Sequence, residues 1–250
     1  MKKVLLVFGS YTDHRQQFFE KYMSPRNREY ADKHGFEYLE IKENLYKYRN
    51  SYTWLKFTII EQMIDEGYVT DGDIVTHLDA DMCIANIDIS YETNKSFSYA
   101  IDSGNTHCMG NYSIRINNWS RQMIKNILSD ERYEYFKDKV YYHPFVSNYN
   151  FWGWFREQAS WYSLAGISPH CEESFWNLSD YGWHSDKTEW TEYSLDELHE
   201  HVEVLPTAWN VTEMEGESNC QFLINKVDKK DVIIRHFAGG QQWRKEWFDK

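Results

Sequence analysis

Apolar runs of strand length alternate with amphipathic stretches in the first part of the chain. Val4 to Phe8 is continuously apolar and ends in a Gly-Ser turn, a pattern typical of a strand buried on both faces of a parallel sheet. Between residues 54 and 64 the apolar side chains follow a helical stripe, which Gly67 ends. Residues 73–78 form another apolar run after an Asp-Gly turn. This alternation predicts an α/β fold with a mostly parallel central sheet flanked by helices.

Weaker patterns predict the remaining elements. Beyond residue 129 the chain is polar and aromatic with weak periodicity, so few elements are predicted there. The His34-Gly35 pair is expected to close a helix that is interrupted near Pro25, and Ser120 is expected to cap a later helix. Helices are predicted over residues 18–34, 120–128 and 155–164, and strands over residues 36–41, 97–101, 113–116, 202–205 and 232–234.

The length and charge of the chain narrow its class. A chain of 250 residues suits one α/β domain, so we expect a single domain over residues 1–250. The 27 Lys and Arg residues against 39 Asp and Glu give a formal charge of −12. The negative electrostatic field of such a protein repels a phosphate backbone and an anionic membrane surface. Nucleic acid is therefore not an expected partner.

Cysteine usage and hydropathy bear on where the protein works. The four cysteines contain no C-x-x-C pair, which indicates neither a zinc site nor a disulfide framework and fits a reducing compartment. The apolar run that follows the N-terminal Met-Lys-Lys is too short for a signal peptide. No later stretch approaches the roughly 18 apolar residues that a membrane span needs. These features predict a cytoplasmic protein without a transmembrane segment.

Aromatic residues are unusually abundant, at 18% of the chain with 11 Trp and 19 Tyr. Flat amphipathic rings are costly to expose unless they stack on a partner, and sugar rings are suitable partners. The alternative interpretation is that most of these rings fill the core. The candidates for stacking on an acceptor are Trp152, Trp154, Trp161, Trp176 and Trp183.

Two carboxylates follow directly after the predicted strand 73–78. In extended backbone, Asp79 and Asp81 would point to the same side and face one site. Paired carboxylates repel each other unless a cation neutralises them, and Mn²⁺ or Mg²⁺ prefers oxygen ligands and also binds diphosphates. Ligands of open α/β sheets bind at the carboxyl ends of strands. The pair therefore predicts a metal and diphosphate site, whereas Asp71-Gly72-Asp73 has the same spacing but is typical of a turn before a strand.

A third metal ligand is suggested near the C-terminus. His236 lies at the end of the last apolar run, shortly before Gly239 and Gly240. Imidazole is a common ligand of Mn²⁺-like ions, and glycines allow backbone N–H groups to approach a phosphate closely. The alternative is that a single histidine of this kind is structural.

These residues together resemble the ordered landmarks of GT-A glycosyltransferases. The resemblance is closest to the galactosyl/xylosyltransferase group that includes fungal α-mannan and plant xyloglucan enzymes, and it is looser to bacterial lipopolysaccharide galactosyltransferases. It covers most of the chain, and the D-x-D and H-F-A-G-G motifs are its most specific parts. The landmarks are residues 27–36, Trp54-x-Lys56, His77 to Asp81, Ser113 to Ser120, Glu157-Gln158 and His236 to Gly240.

The resemblance implies a Rossmann-like nucleotide-binding fold and a role for each matching residue. Residues 1–128 would form the donor-nucleotide half, and residues 129–250 an acceptor half that ends in the metal and phosphate segment. Asp79, Asp81 and His236 would hold Mn²⁺, and Gln158 would lie near the anomeric carbon, next to Glu157, where the commoner residue is Asp. The implied donor contacts are Phe8, Gly9, Ser10, Tyr11, Lys56, Leu78, Asp79, Gly239 and Gly240.

The implied activity is transfer of a hexose or pentose from a nucleotide-sugar, with UDP as the nucleotide, to a glycan or other hydroxyl acceptor with retention of configuration. Two other functions remain open. A D-x-D phosphohydrolase would use the first carboxylate as a nucleophile, although Asp79 does not follow the first strand. A non-catalytic carbohydrate-binding protein would use the carboxylate pair to hold a structural Ca²⁺.

Overall fold

The computed structural model describes residues 1–8, 13–41, 52–104, 106–139, 156–168, 181–214 and 227–238. The chain forms two compact units whose segments interleave along the sequence. Unit 1 comprises Met1–Asn44, Gly72–Arg115 and Val204–Lys250, and unit 2 comprises Leu45–Asp71 and Ile116–Glu203.

Two sheets are present in the described residues. Their strands are β1 (Lys3–Phe8), β2 (Glu37–Ile41), β3 (Ile74–Leu78), β4 (Met82–Ile84), β5 (Phe97–Ile101), β6 (His107–Arg115), β7 (Val202–Leu205), β8 (Val211–Met214) and β9 (Ile234–Ala238). The larger sheet has the order β2-β1-β3-β6-β5-β7, with β1 parallel to β2 and β3, and β6 antiparallel to β3 and β5. The smaller sheet has the order β4-β9-β8, with β9 antiparallel to β4 and parallel to β8.

The centre of the larger sheet is buried, as the sequence pattern predicts. All five residues of β3 are buried, and so are Val4 to Phe8 of β1. Strands with both faces covered carry continuous apolar runs because neither face meets water. The predicted α/β class is confirmed.

A helical segment packs beside these strands in unit 1. Helix α1 (Asp13–Phe18) continues through a π-helical turn (Phe19–Met23) into α2 (Ser24–His34). The predicted interruption near Pro25 is this π turn. Proline has no backbone N–H to donate to the carbonyl four residues earlier, and its ring would collide with that carbonyl in a regular α-helix. Gly35 ends α2 at φ +68, a left-handed conformation that favours glycine. The predicted C-cap is thus confirmed.

Unit 2 consists mainly of helices in its described part. Ser160 Oγ donates to the carbonyl of Ile127 at 3.0 Å, which joins two of these helices. The predicted N-cap Ser120 is wrong: Asn117 caps the helix, and Ser120 is the reciprocal member of the capping box. The helices are α3 (Tyr52–Asp65), α4 (Asn118–Ile127), α5 (Asp130–Phe136), α6 (Glu157–Ala165) and α7 (Leu195–His201).

The predicted late strand at residues 232–234 is displaced in the structure, where β9 begins at Ile234 and continues to Ala238. The strand extends further because it pairs with both β4 and β8. His236 therefore lies within a strand rather than after one. No helix of the described residues is long and apolar enough to cross a membrane.

Candidate metal and diphosphate site

The D-x-D motif lies where the chain leaves the larger sheet and enters the smaller one. Asp79 directly follows β3, and its backbone N–H donates to the carbonyl of Gly110 on β6 at 2.8 Å. The N–H of Met82 then donates to the carbonyl of Asp79 at 3.0 Å, which closes a turn before β4. The expectation of extended backbone through the motif is therefore wrong, because the chain must turn there to pair with β9.

Asp81 and His236 converge from distant parts of the sequence. Met82 pairs with His236 in the β4–β9 ladder, and the N–H of Phe237 donates to the carbonyl of Asp81 at 2.7 Å. These bonds bring Asp81 Oδ2 to 3.7 Å from His236 Nε2. The structure thus brings together two of the three predicted metal ligands.

His236 is held from its other side by the neighbouring strand. Thr212 lies opposite His236 in the parallel β8–β9 pair, and its Oγ1 lies 3.4 Å from His236 Nδ1. The N–H of Thr212 donates to Ser103 Oγ at 3.0 Å. Burial alone would lower the pKa of the His236 imidazole, but the Asp81 carboxylate and the Cys108 side chain raise it well above its ordinary value. The ring nitrogen that faces the carboxylate is Nε2, which lies 3.7 Å from Asp81 Oδ2.

The carboxylate of Asp79 has a different partner. Its Oδ1 lies 2.8 Å from Nε2 of His77, a residue that is fully buried. Gly110 lies against the same carboxylate: a Cβ on Gly110 would lie 3.2 Å from Asp79 Oδ2 and would collide with the end of Met82. A side chain at position 110 would therefore displace the flexible end of Met82 and crowd the Asp79 carboxylate.

The residues fit a divalent cation only in part. Two ligands bonded to one ion at about 2.1 Å can be at most about 4.2 Å apart, so the 3.7 Å spacing of Asp81 and His236 is compatible with shared coordination. Within the described ranges, no group of three or more His, Cys, Asp and Glu side chains could hold a metal ion. Mg²⁺-like ions are commonly bound by one or two carboxylates together with substrate phosphates. Such an arrangement would need few ligands from the protein.

The other predicted donor contacts are mostly buried or lie outside the described residues. Phe8 is 5% exposed and Leu78 is fully buried, so their side chains offer little surface to a nucleotide. At these two positions the predicted contact with the donor would therefore be made by backbone atoms. Gly9, Ser10, Tyr11, Gly239 and Gly240 lie outside the described residues, and their roles stay predictions.

Unit 2 brings together two other sequence candidates. Lys56 Nζ on α3 lies 2.9 Å from Glu157 Oε1 on α6, and both side chains are about 5% exposed or less. Gln158 Nε2 donates to the hydroxyl of Tyr162 at 2.9 Å. The sequence did not predict the pairing of Lys56 with Glu157, since each was selected for a different role.

The predicted stacking residues fall into two groups. Trp161 is fully buried and Trp183 is 3% exposed. A stacking ring needs an open face, so burial favours core packing for both and is evidence against their predicted contact with an acceptor. Trp152, Trp154 and Trp176 lie outside the described residues.

Sequence reasoning missed His77, Gly110 and Thr212 as members of the site. A signal existed for His77, because it lies two residues before Asp79 and i, i+2 residues on a strand share a face. No comparable signal marks Gly110 or Thr212, since both reach the site through backbone pairing between segments that are distant in sequence.

Comparison with known proteins gives a structural likeness. No protein-family model and no curated protein matches the sequence. The crystal structure of a glycosyltransferase involved in the glycosylation of the major capsid of PBCV-1 is similar, with a TM-score of 0.55 and 12% identity over 99% of each chain.

Two other glycosyltransferase structures match more loosely. GlyE of Streptococcus pneumoniae TIGR4 has a TM-score of 0.45 and 13% identity over all of this chain and 60% of its own. A mutant of Drosophila β1,4-galactosyltransferase 7, in complex with manganese, UDP-Gal and xylobiose, has a TM-score of 0.34 and 14% identity over 51% and 52%. The full-length likeness to the PBCV-1 protein confirms the predicted fold: this chain has the fold of that glycosyltransferase.

Proposed function

We propose that this protein is a metal-dependent glycosyltransferase that moves a hexose or pentose from a nucleotide-sugar to a glycan or other hydroxyl acceptor. The observation that carries the proposal is the approach of Asp81 and His236 to 3.7 Å beside the carboxyl end of β3. Ligands of open α/β sheets bind at such strand ends. UDP as the nucleotide and Mn²⁺ or Mg²⁺ as the cation follow from the sequence resemblance.

Each residue of the site has a definite task in this proposal. Asp79, Asp81 and His236 would hold the cation, and Asp79 would also contact the nucleotide-sugar donor. The bound cation would stabilise the negative charge that develops on the leaving diphosphate. The backbone hydrogen bonds of the turn at residues 79–82 fix the main chain that carries both carboxylates, and a rigid support of this kind favours a binding site.

The residue beside the transferred sugar is proposed from the sequence motif. Glu157 and Gln158 are the two candidates, and the Glu157 carboxylate is already engaged by Lys56. As the sequence resemblance implies, we propose Gln158 for contact near the anomeric carbon. We propose retention of configuration, with the acceptor attacking on the face from which the diphosphate departs. Proton NMR of the first product tests this, since an inverted anomeric signal contradicts retention.

Nucleotide titration tests the donor site. UDP, GDP and CMP would be titrated by isothermal calorimetry with and without Mn²⁺ into the wild type and the Asp81→Ala variant. We expect tight binding of one nucleoside diphosphate that needs both Mn²⁺ and Asp81. The matched control is Asp71→Ala, which alters the other D-x-D sequence: Asp71 is exposed and pairs with Arg121, so its removal should leave binding unchanged.

The same titration separates the competing functions. If no nucleotide binds under any condition, the transferase proposal fails and a carbohydrate-binding protein becomes the leading interpretation. A phosphohydrolase would instead release inorganic phosphate from a phosphomonoester, and that release would stop in Asp79→Asn.

A further inference from the structure

We propose that His77 is a positioning residue for nucleotide-sugar binding, because its buried imidazole fixes the carboxylate of Asp79. This inference rests on the proposed function and adds a residue to the same site. The sequence motif assigns roles to Asp79 and Asp81 but none to His77.

The hydrogen bond between the two side chains has a defined direction. His77 Nε2 and Asp79 Oδ1 are 2.8 Å apart. An ionised carboxylate only accepts hydrogen bonds, so the ring must carry its hydrogen on Nε2 and donate it. A donor fixed in this way favours one orientation of the carboxylate over its alternatives.

The imidazole itself has little freedom to move. It is fully buried, with the ring of Phe8 at 5.1 Å in an edge contact and the ring of Tyr112 at 4.9 Å. In the sheet, His77 pairs with Leu6 on one side and Tyr112 on the other. A side chain locked by packing on a central strand is a rigid support for a binding residue.

Asp79 connects this interior to the surface. Its side chain is 36% exposed although its hydrogen-bonding partner is fully buried. One carboxylate oxygen is thus held from within the sheet, while part of the same group faces solvent, where a donor would arrive. Residues that orient a ligating group in this way commonly contribute roughly 10–100-fold to affinity.

Two substitutions separate positioning from packing. His77→Met removes the donor but keeps an apolar side chain in the same space, whereas His77→Gln has a similar length and can restore an N–H close to the position of Nε2. His107→Phe is the matched control, since His107 is also buried on the sheet but bonds the hydroxyl of Tyr99 at 2.7 Å. Thermal melts identify any variant that is not folded.

The readouts are the dissociation constants of UDP with Mn²⁺ and of Mn²⁺ alone, both by calorimetry. We expect His77→Met to weaken UDP binding roughly 10–100-fold, His77→Gln to recover most of the loss, and His107→Phe to stay within about twofold of the wild type. If His77→Met does not fold, His77→Phe provides the same comparison with His77→Gln. These outcomes would support positioning, because packing alone cannot produce rescue by an N–H donor.

Other outcomes overturn the inference. Wild-type affinity in His77→Met, or equal loss in His77→Gln and His77→Met, means that the hydrogen bond does not position the donor site while the proposed function stands. Absence of nucleotide binding in the wild type rejects the proposed function and this inference together. The wild-type titration therefore distinguishes the two failures.

Discussion

Removal of the Lys56 ammonium should destabilise the protein strongly, because it would leave the Glu157 carboxylate buried without its cation. The two charged atoms are 2.9 Å apart, and both side chains are almost inaccessible to water. At an effective dielectric constant of about 20, the direct attraction over this distance is about 6 kcal/mol. Desolvation of both ions opposes it, and loss of one partner of such a pair costs about 3–5 kcal/mol net.

The test is urea denaturation of Lys56→Met at pH 7, followed by circular dichroism. We expect the free energy of unfolding to fall by about 3–5 kcal/mol, and a thermal melt of the same variant should show a melting temperature lower by roughly 6–20 °C. The double variant Lys56→Met/Glu157→Leu should recover most of this loss, since no unpaired charge remains buried. Lys137→Met is the surface control, because its pair with Glu134 is largely exposed and should change stability by less than about 1 kcal/mol.

Two results would refute this reasoning. Wild-type stability in Lys56→Met would mean that Glu157 does not depend on Lys56 for its burial. If the stability loss of the double variant equals the sum of the losses in Lys56→Met and in Glu157→Leu, the two side chains do not interact energetically.

Three further predictions concern other parts of the chain. Gly110→Ala should lower the free energy of unfolding by no more than about 1 kcal/mol in urea melts, because the flexible end of Met82 can move away from the added methyl; a larger loss would mean that Met82 cannot move. Thr212→Val should weaken Mn²⁺ binding by calorimetry roughly tenfold by removing the hydroxyl beside His236, whereas Thr212→Ser should retain it. Hydrogen bonds from the backbone and hydroxyl of Ser194 lower the pKa of Glu197, so this carboxylate stabilises the fold above its unfolded pKa of about 4.3 and loses the effect as pH falls through its folded pKa. Glu197→Gln should therefore be less stable than the wild type at pH 7, with a gap that narrows below about pH 4; a gap that does not change with pH would contradict this assignment.

The elements that could be predicted from sequence are those in which the spacing of apolar side chains gives a local periodic signal. Strand β5 was predicted over its observed residues, Phe97–Ile101, and so was β7, Val202–Leu205. Helix α3 extends only slightly beyond the apolar stripe that indicated it. In each case the period of apolar side chains reflects which faces are buried, so the pattern is visible without knowledge of the partner.

The smaller sheet could not be predicted in this way. Strand β4 has only three residues, too few for a periodic signal. Strand β9 was predicted in part, but its extension through His236 depends on hydrogen bonds to β4 and β8. Pairing between segments so distant in sequence leaves no local pattern.

The sequence by itself determined the α/β class and selected Asp79, Asp81 and His236 as candidates, because strand periodicity and the coordination chemistry of side chains are properties of the residues themselves. Only the tertiary structure decided that Asp81 and His236 approach each other and that Asp79 is instead held by His77. The pairing of Lys56 with Glu157 belongs to the same category. The physical reason is that these contacts depend on strand register and helix packing, which bring together residues that no local pattern relates.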